Sequence, residues 1–325
     1  MSSDPAPAWK TELEENGFAV VRGVLTPERA SEYVAAAYKW ASQFGWSAED
    51  RSTWKSAHLP AGKAGVVSNY AAAHERWVWD ARMEPKIGEA FARVWGTDEL
   101  IVSFDAINFS VPVGPHARTD IVPTAPWPHV DQQPRPSNRP HFEFELAQGI
   151  LALSRSGPSD GGLVVMKKSH NLVKRFFDEQ DGYKAEQDWG ESNYYTFTEA
   201  DLEWFYQQPD CVEIKVETEP GDLILWDSRT IHWNKAPSGD VVRTAVYVCM
   251  CPKSMASAEM LEKRKAFFEN RLATTHWPAP FVVGTKEAFG ADERDGKEDH
   301  LDHPRPLEEP VVTQRMLQLV GCAAY

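Results

Sequence analysis

The spacing of apolar residues predicts that the chain begins with helices. Apolar residues recur at helical spacing over 27–44, directly after Thr26, a residue type that caps helix N-termini, and a proline suited to the first helical position. A second helical pattern runs over 87–95 and stops at Gly96, a residue type that commonly ends helices. The N-terminal part of the chain, 1–98, is therefore predicted to be largely helical.

A different period begins near residue 99. Short apolar or alternating runs follow one another, separated by proline, glycine, serine and aspartate, which is typical of strands joined by turns. An earlier β-branched run at 17–25 has the same character, and a polar, aromatic stretch at 174–210 interrupts the series. The later runs are ELIVSFDAINFSVPV, FELAQGILALS, GGLVVMKK, CVEIKVETE, GDLILWD and VVRTAVYVCM. Many short strands after a helical start predict a mainly β protein with helical flanks, built on a sandwich or jelly-roll core.

The end of the chain returns to helical and irregular patterns. Residues 254–272 have helical character, and 312–325 are a candidate helix that packs on the barrel or on a second subunit. Residues 284–310 are acidic and broken by prolines, which predicts an extended excursion or loop. We find no internal repeat and no clean linker. The sequence therefore predicts one domain over 1–325, with a helical N-terminal part (1–98), a jelly-roll core (99–252) and a C-terminal extension (253–325).

Composition and charge exclude several classes of protein. The formal net charge is −14 at pH 7, which disfavours binding to nucleic acids or to membrane surfaces. No apolar run is long enough to span a bilayer, the first residues lack the layout of a signal peptide, and four cysteines are too few for a disulfide scaffold. We expect a cytoplasmic protein, with a homodimer as the candidate assembly. Cys249 and Cys251 lie two residues apart in an apolar run, and we interpret them as buried, inert thiols.

Two His-x-Asp tripeptides are candidates for part of a metal site. On a strand, residues i and i+2 point to the same side, so His129 and Asp131 would be placed together by the backbone, and so would His300 and Asp302. The tripeptide alone is a weak signal, and context distinguishes the two copies. The first copy is flanked by prolines at the edge of the strand-rich region, whereas the second lies in the proline-broken acidic stretch and has only His303 after it.

The residues downstream of His129 strengthen the first copy. His232 lies 103 residues after it on a predicted strand, and Arg243 lies on the next predicted strand. Two histidines and one carboxylate on one side leave the remaining coordination positions open, as in non-haem Fe(II) oxygenases. A 2-oxoglutarate cosubstrate chelates iron through its 2-oxo and C1-carboxylate oxygens, so its C5 carboxylate needs a cation, and the guanidinium of Arg243 offers a planar fork for it. The order histidine, aspartate, distant histidine, arginine is far more specific than any one of its elements.

At this point the chain resembles the phytanoyl-CoA dioxygenase family of Fe(II)/2-oxoglutarate-dependent oxygenases. The matching segments are GFAVVRGVLTPE, PHVDQQ, GGLVVMKKSH, GDLILWDSRTIHWN and VVRTAVYV. The resemblance implies a double-stranded β-helix, also called a jelly roll or cupin-like fold. It implies that His129, Asp131 and His232 bind iron, that Arg243 binds the C5 carboxylate of 2-oxoglutarate, and that His170 is structural.

Other residues are less specific candidates. Asn108 and Gln148 fall where the resembled family often has a residue in contact with 2-oxoglutarate. Asn234 shares a strand face with His232. Each of the three could instead be an ordinary buried polar group. For the substrate pocket the candidates are Trp127, Trp226, Tyr247 and Arg118, with core packing or, for the arginine, a solvated loop charge as the alternative. Further cationic candidates around the first ligand segment are Arg135, Arg139 and His141.

The expected reaction is oxidation of a C–H bond of a small molecule, using Fe(II), 2-oxoglutarate and O2 and releasing succinate and CO2. Hydroxylation is the default outcome, and the carboxylate of Asp131 disfavours halogenation, since halogenating relatives lack this ligand. The negative charge of the chain favours a small substrate, such as an amino acid or a secondary metabolite, over an acyl-CoA. The alternatives are a metal-dependent hydrolase or isomerase of the cupin type, which would not need Arg243, and a catalytically silent cupin-like binding protein.

Overall fold

The computed structural model describes residues 6–115, 117–132, 144–180, 194–289, 293–294 and 297–325. The helices are α1 (Ala8–Asn16), α2 (Pro27–Ala41), α3 (Arg76–Arg82), α4 (Pro85–Trp95), α5 (Val173–Glu179), α6 (Glu199–Tyr206), α7 (Ala258–Glu269), α8 (Thr285–Phe289) and α9 (Gln314–Val320). The strands of the core are β1 (Phe18–Val21), β2 (Val66–Val67), β3 (Leu100–Val102), β4 (Ile107–Ser110), β5 (His129–Val130), β6 (Ala147–Ala152), β7 (Gly162–Met166), β8 (Tyr195–Thr196), β9 (Glu213–Lys215), β10 (Leu223–Asp227), β11 (His232–Lys235) and β12 (Arg243–Pro252). None of the helices in these ranges is both long and apolar enough to cross a bilayer.

The N-terminal helices form as predicted, and local signals fix their ends. The hydroxyl of Thr26 accepts a hydrogen bond from the Arg29 backbone N–H at 3.2 Å, which caps the start of α2. Helix α4 ends where Gly96 adopts a left-handed conformation with φ of 71°, a conformation that glycine reaches at little cost. Helix α2 stops at Ala41, slightly earlier than predicted, because the chain tightens into a 3-10 turn over Ser42–Phe44.

Two antiparallel sheets form the core and confirm the jelly-roll prediction. The larger sheet has the order β1-β10-β6-β12-β4-β2, with β3 also paired to β12, and the smaller has the order β8-β5-β11-β7-β9. One buried apolar cluster contains Ile150 and Ala245 of the larger sheet and Leu163 and Val165 of the smaller sheet, so it lies between the two sheets. Helices α2, α3 and α4 contribute to the largest apolar cluster, which also includes residues of β10 and β12. The smaller sheet carries two of the candidate metal ligands.

The regions after residue 172 contain more regular structure than the sequence predicted. In the stretch 174–210, of which 181–193 lie outside the described residues, helix α6 begins with a capping box between Thr198 and Asp201. The stretch 284–310 was predicted to be extended, but it contains helix α8 and a small hairpin of β13 (Glu293–Arg294) and β14 (Lys297–Glu298). The predicted helices in 254–272 and 312–325 are present as α7 and α9. The division into one domain stays a prediction.

Candidate metal centre

Two neighbouring strands bring the two predicted histidines together. Strands β5 and β11 pair antiparallel, and His129 and His232 are direct partners in their register. Because partners in an antiparallel pair place their side chains on the same face, the two imidazole rings lie close, with their centroids 4.3 Å apart. Asp131 follows two residues after His129, so its side chain returns to that same side.

The three side chains converge on one point. The distance from Asp131 Oδ1 to His129 Nε2 is 3.8 Å, and from Asp131 Oδ2 to His232 Nε2 it is 3.2 Å. One ligand atom from each residue lies within 4.8 Å of the others, and this is the one group of three or more metal-binding side chains found among the described residues. Two imidazole nitrogens and one carboxylate oxygen are a donor set suited to Fe(II), with coordination positions left for other ligands.

Backbone carbonyls fix the tautomer of both histidines. The Nδ1 of His129 lies 2.8 Å from the carbonyl oxygen of Trp127, and the Nδ1 of His232 lies 2.9 Å from that of Thr230. Each carbonyl can only accept, so each Nδ1 carries the proton and donates it. The lone pairs of both Nε2 atoms therefore face the carboxylate, which is the arrangement a metal ion requires.

Electrostatics keep two of the candidate ligands, His129 and Asp131, in the protonation states that bind metals. Burial, followed by the nearby His232, lowers the pKa of His129 to about 4, so this imidazole is neutral at pH 7. Burial opposes ionisation of Asp131, but His276, His129 and His232 together outweigh it and hold the pKa of that carboxyl well below its usual range. The neutral imidazole of His129 and the ionised carboxylate of Asp131 are ready to coordinate without first losing protons.

Gln148 on β6 orients the carboxylate. Its side-chain amide donates to Asp131 Oδ2 at 2.8 Å and lies 3.3 Å from the hydroxyl of Ser228. The backbone N–H of Asp131 donates to the carbonyl of Ser228 at 3.1 Å, so side chain and backbone are held together. The structure thus places Gln148 against a candidate metal ligand, and its predicted contact with 2-oxoglutarate stays a prediction.

The rival histidines lie elsewhere. The side chain of His300 is 77% exposed, and Asp302 pairs with Lys286 at 2.5 Å and accepts from the Tyr70 backbone N–H at 2.6 Å. His170 lies 3.1 Å from the carbonyl of Glu14, where it holds the end of α1, in agreement with its predicted structural role. Among the described residues, the first tripeptide thus joins His232 in one cluster and the second joins no such cluster. The assignment of iron to the first stays a prediction.

Arg243 and the polar candidates form one hydrogen-bonded network. The guanidinium of Arg243 donates to Asn234 Oδ1 at 3.3 Å, and the amide of Asn234 donates to the Tyr247 hydroxyl at 3.3 Å. The amide of Asn108 lies 3.4 Å from that same hydroxyl. Asn234 and His232 are two residues apart on β11, so the network lies about 7 Å along the strand from a candidate metal ligand.

The four predicted pocket residues take different positions. Trp226 is buried with its ring centroid 5.2 Å from that of His232, and Trp127 lies nearly parallel to His129 at 6.4 Å. Tyr247 belongs to the Arg243 network. Arg118 forms an ion pair with Asp120, since its Nε and Nη2 each lie 3.0 Å from a carboxylate oxygen of Asp120. Arg135, Arg139 and His141 lie outside the described residues.

Sequence reasoning missed several residues near the centre. The Nε2 of His276 is buried and has no hydrogen-bond partner among the described residues, and this histidine acts electrostatically on both Asp131 and His129. The ring of Tyr194 lies 5.1 Å from that of His129. No local sequence motif indicates either residue. His276 acts on the centre only once the C-terminal extension has folded, so its position in the sequence gives no signal.

A family model then connects these residues to known proteins. The model for phytanoyl-CoA dioxygenase (PhyH) matches residues 13–245, which is most of the chain and includes all three candidate ligands and Arg243. The chain belongs to the phytanoyl-CoA dioxygenase family. This confirms the resemblance inferred from the sequence motifs, and the two antiparallel sheets are the jelly roll expected of that family.

The chain is similar to other proteins over most of its length. It is 38% identical over 279 residues to "Ava biosynthesis cluster protein O" of Aspergillus versicolor, covering 85% of this chain and 87% of that protein. Among solved structures it is similar to GIG2, a DUF1479 protein of Candida albicans, with a TM-score of 0.60, 12% identity, and coverage of 97% and 76% of the two chains. It is also similar to the epimerase SnoN, solved with Fe3+, alpha ketoglutarate and nogalamycin RO, with a TM-score of 0.49, 16% identity, and coverage of 94% and 95%. At 12% identity the GIG2 structure shows the fold alone.

Proposed function

We propose that this member of the phytanoyl-CoA dioxygenase family is an Fe(II)/2-oxoglutarate-dependent dioxygenase that oxidises a C–H bond of a small molecule. The observation that carries the proposal is the convergence of His129, Asp131 and His232 beside a buried arginine. The hydrolase, isomerase and silent-binding alternatives give no reason for an arginine at that place, whereas a 2-oxo dicarboxylic acid requires a cation for its far carboxylate.

Each residue of the centre has its own proposed role in binding the metal and the cosubstrate. The Nε2 atoms of His129 and His232 and the carboxylate of Asp131 would hold Fe(II), and Arg243 would bind the C5 carboxylate of 2-oxoglutarate, with Asn234 holding the guanidinium in place. Bound iron and 2-oxoglutarate supply the activation of O2, with release of succinate and CO2 and oxidation of the substrate. Trp226, packed against His232, limits access of water to that side of the centre.

For the substrate we propose a small molecule of secondary metabolism. The 38% identical relative is named for a biosynthesis cluster, which supports this class. An acyl-CoA is disfavoured because the net charge of −14 repels its phosphates, and because Arg118 is already paired with Asp120. Hydroxylation is the default outcome. The cytoplasmic location and the homodimer stay predictions.

The decisive experiment compares a histidine of the candidate metal centre with a histidine of the other tripeptide. Purified protein should bind one Fe(II) under anaerobic conditions and should release succinate in a reaction that needs both iron and 2-oxoglutarate. His232→Ala should lower iron affinity by at least about 100-fold, since loss of a residue that only supports a ligand already costs about 10- to 100-fold. The matched control His300→Ala removes an exposed histidine from the other tripeptide and should leave iron binding unchanged.

Two results would contradict the proposal. Unchanged iron affinity in His232→Ala would show that the metal centre is elsewhere. Turnover of a substrate without 2-oxoglutarate would favour a hydrolase or isomerase. The substrate itself can be sought by measuring which small molecules raise succinate release above the rate without added substrate.

A further inference from the structure

A small cavity beside Arg243 carries positive charge that no acid in the described part of the chain neutralises directly. Arg243 and Thr218 line this cavity together with Ser156, and the Thr218 hydroxyl is buried without a hydrogen-bond partner among the described residues. The one hydrogen bond described for the Arg243 guanidinium goes to the neutral amide oxygen of Asn234. A buried charge without a counter-ion is costly, so a site of this kind favours an anionic ligand.

A second cation, Lys215, stands behind the cavity wall. Its Nζ donates to the Ser156 hydroxyl at 2.6 Å and lies 3.2 Å from the Val216 carbonyl and 3.4 Å from the Gly157 carbonyl, all of them neutral acceptors. Burial, and then the neighbouring charge of Arg243, lower the pKa of Lys215 to about 8. The charge of Arg243 therefore acts on the ammonium group of Lys215, and Ser156 lies between that ammonium group and the cavity.

Two adjacent glycines make room for the two cations. A Cβ added at Gly162 would lie 2.7 Å from Lys215 Nζ and 2.3 Å from the Ser156 hydroxyl, so another residue there would displace these groups. A Cβ added at Gly161 would lie 2.8 Å from Pro237 Cδ and 3.1 Å from Arg243 Cδ, so another residue there would crowd Pro237 first and the arginine next. The Gly-Gly pair therefore fits a role in the charge of the site as well as in the start of β7.

We propose that Lys215 is a positioning residue that acts through Ser156 and adds a second positive charge to the Arg243 site, so that the site selects a 2-oxo acid with a second carboxylate. The inference rests on the proposed function, since it concerns the binding of 2-oxoglutarate. Arg243 would contact the C5 carboxylate, while Lys215 would hold the Ser156 hydroxyl and raise the local potential.

The test compares two ligands of equal length. 2-Oxoglutarate and 2-oxopentanoate both carry the 2-oxo acid group that chelates iron, but only the first has a C5 carboxylate. Their affinities for Fe(II)-loaded protein can be measured by anaerobic isothermal titration calorimetry. Lys215→Met should weaken 2-oxoglutarate by about three- to tenfold, a Coulomb effect of one partly screened charge, and should leave 2-oxopentanoate unchanged. Lys215→Arg should restore most of the preference.

A nearby lysine provides the matched control. Lys235 is exposed and donates to the Pro158 carbonyl at 3.1 Å, so Lys235→Met removes the same charge from the same end of the sheet without removing a Ser156 contact. It should change 2-oxoglutarate affinity by less than about twofold, because exposed charges are screened. Equal weakening of both ligands in Lys215→Met, or an equal effect in Lys235→Met, would overturn the inference. If wild-type protein with Fe(II) binds no 2-oxoglutarate at all, the proposed function fails instead.

The pH dependence adds a readout that a purely structural role would not produce. In the free protein the charge of Lys215 is lost as pH rises through about 8, so wild-type affinity for 2-oxoglutarate should fall above that pH. The charged groups that act on this lysine are Arg243, Lys235, Glu217 and Asp160. Lys215→Met should lack the fall, and an identical pH profile in the variant would contradict the inference.

Discussion

Gln148 shows how a single uncharged side chain supports the candidate metal centre. Its amide donates to the Asp131 oxygen that also lies 3.2 Å from His232 Nε2. That bond fixes the rotamer of the carboxylate and leaves the other oxygen, which faces His129, less constrained. Residues that orient a metal ligand in this way contribute to affinity without touching the ion.

We therefore predict that Gln148→Leu weakens Fe(II) binding by about 10- to 100-fold, because the carboxylate loses its orienting donor. Anaerobic titration with Fe(II) measures the effect. The control Gln207→Leu changes an exposed glutamine and should bind iron like the wild type. Wild-type affinity in Gln148→Leu would mean that the backbone alone holds Asp131 in place.

At the residue scale, the sequence predicts those parts of the site that the local backbone determines. His129 and Asp131 were predictable because strand alternation places them on one side. His232 was predictable because it lies on a later predicted strand and Arg243 follows on the next. Lys215 and His276 could not be found in this way. Lys215 approaches Arg243 only when β7 and β9 pair, and His276 belongs to a segment beyond the family match.

At the scale of elements, a short 3-10 turn over Ala72–His74 links the N-terminal part to the C-terminal extension. His74 Nε2 lies 3.0 Å from the Leu272 carbonyl, and the indole N–H of Trp79 donates to His74 Nδ1 at 3.3 Å. Nδ1 can accept only when the imidazole is neutral. Burial accordingly lowers the pKa of His74 to about 3.

This histidine should make the protein sensitive to acid. The pKa of His74 in the folded protein is below its ordinary value, so between about pH 6.5 and 3 the unfolded chain binds a proton that the folded chain does not. The stabilisation present above about pH 6.5 is therefore lost as pH falls towards 3. Between pH 6 and 4, His74→Gln should reduce the slope of the unfolding free energy by about 1.4 kcal/mol per pH unit, the value for one proton. Urea unfolding at several pH values measures this slope. An unchanged slope in His74→Gln, or an equal reduction in the exposed control His300→Gln, would refute the role of His74.

The helices that were best predicted are those whose ends are marked by a capping residue in the sequence. Thr26 and Gly96 mark helix ends through their own side chain or backbone conformation, so their helices could be located from sequence. Helix α8 was missed because it is short and lies in a polar, proline-broken stretch with no apolar periodicity. The Glu287 carboxylate accepts a hydrogen bond from the Gly284 backbone N–H at 3.2 Å. No periodic pattern of apolar residues in the sequence predicts this turn.

At the scale of the whole molecule, the buried Arg264 on α7 joins several segments that are distant in sequence. Its guanidinium donates to the carbonyls of Leu319 and Val320 at the end of α9, of Pro278, and of Val102 on β3, at 2.7 to 3.0 Å. These acceptors are backbone carbonyl groups, and a buried carbonyl group that lacks a donor is costly. One side chain therefore attaches the C-terminal extension to the larger sheet.

Arg264→Met should lower the free energy of unfolding by about 3–5 kcal/mol, because it leaves several buried carbonyls unsatisfied. Equilibrium unfolding in urea at pH 7 measures the loss. The neighbouring Lys265 is exposed, so Lys265→Met should change stability by less than about 0.5 kcal/mol. A loss below about 1 kcal/mol in Arg264→Met would show that the extension is held by apolar packing alone.

The attachment made by Arg264 has a consequence for the segment that carries His276. The carbonyl of Pro278 that it binds lies two residues after His276, and the backbone N–H of Thr274 donates to the Phe104 carbonyl at 2.9 Å, so this tail segment is fastened on both sides of the histidine. The three candidate ligands lie on segments that come earlier in the chain than this tail segment. A substitution at His276 would therefore alter the electrostatic surroundings of Asp131 and His129 while the strands that position the two ligand histidines stay intact.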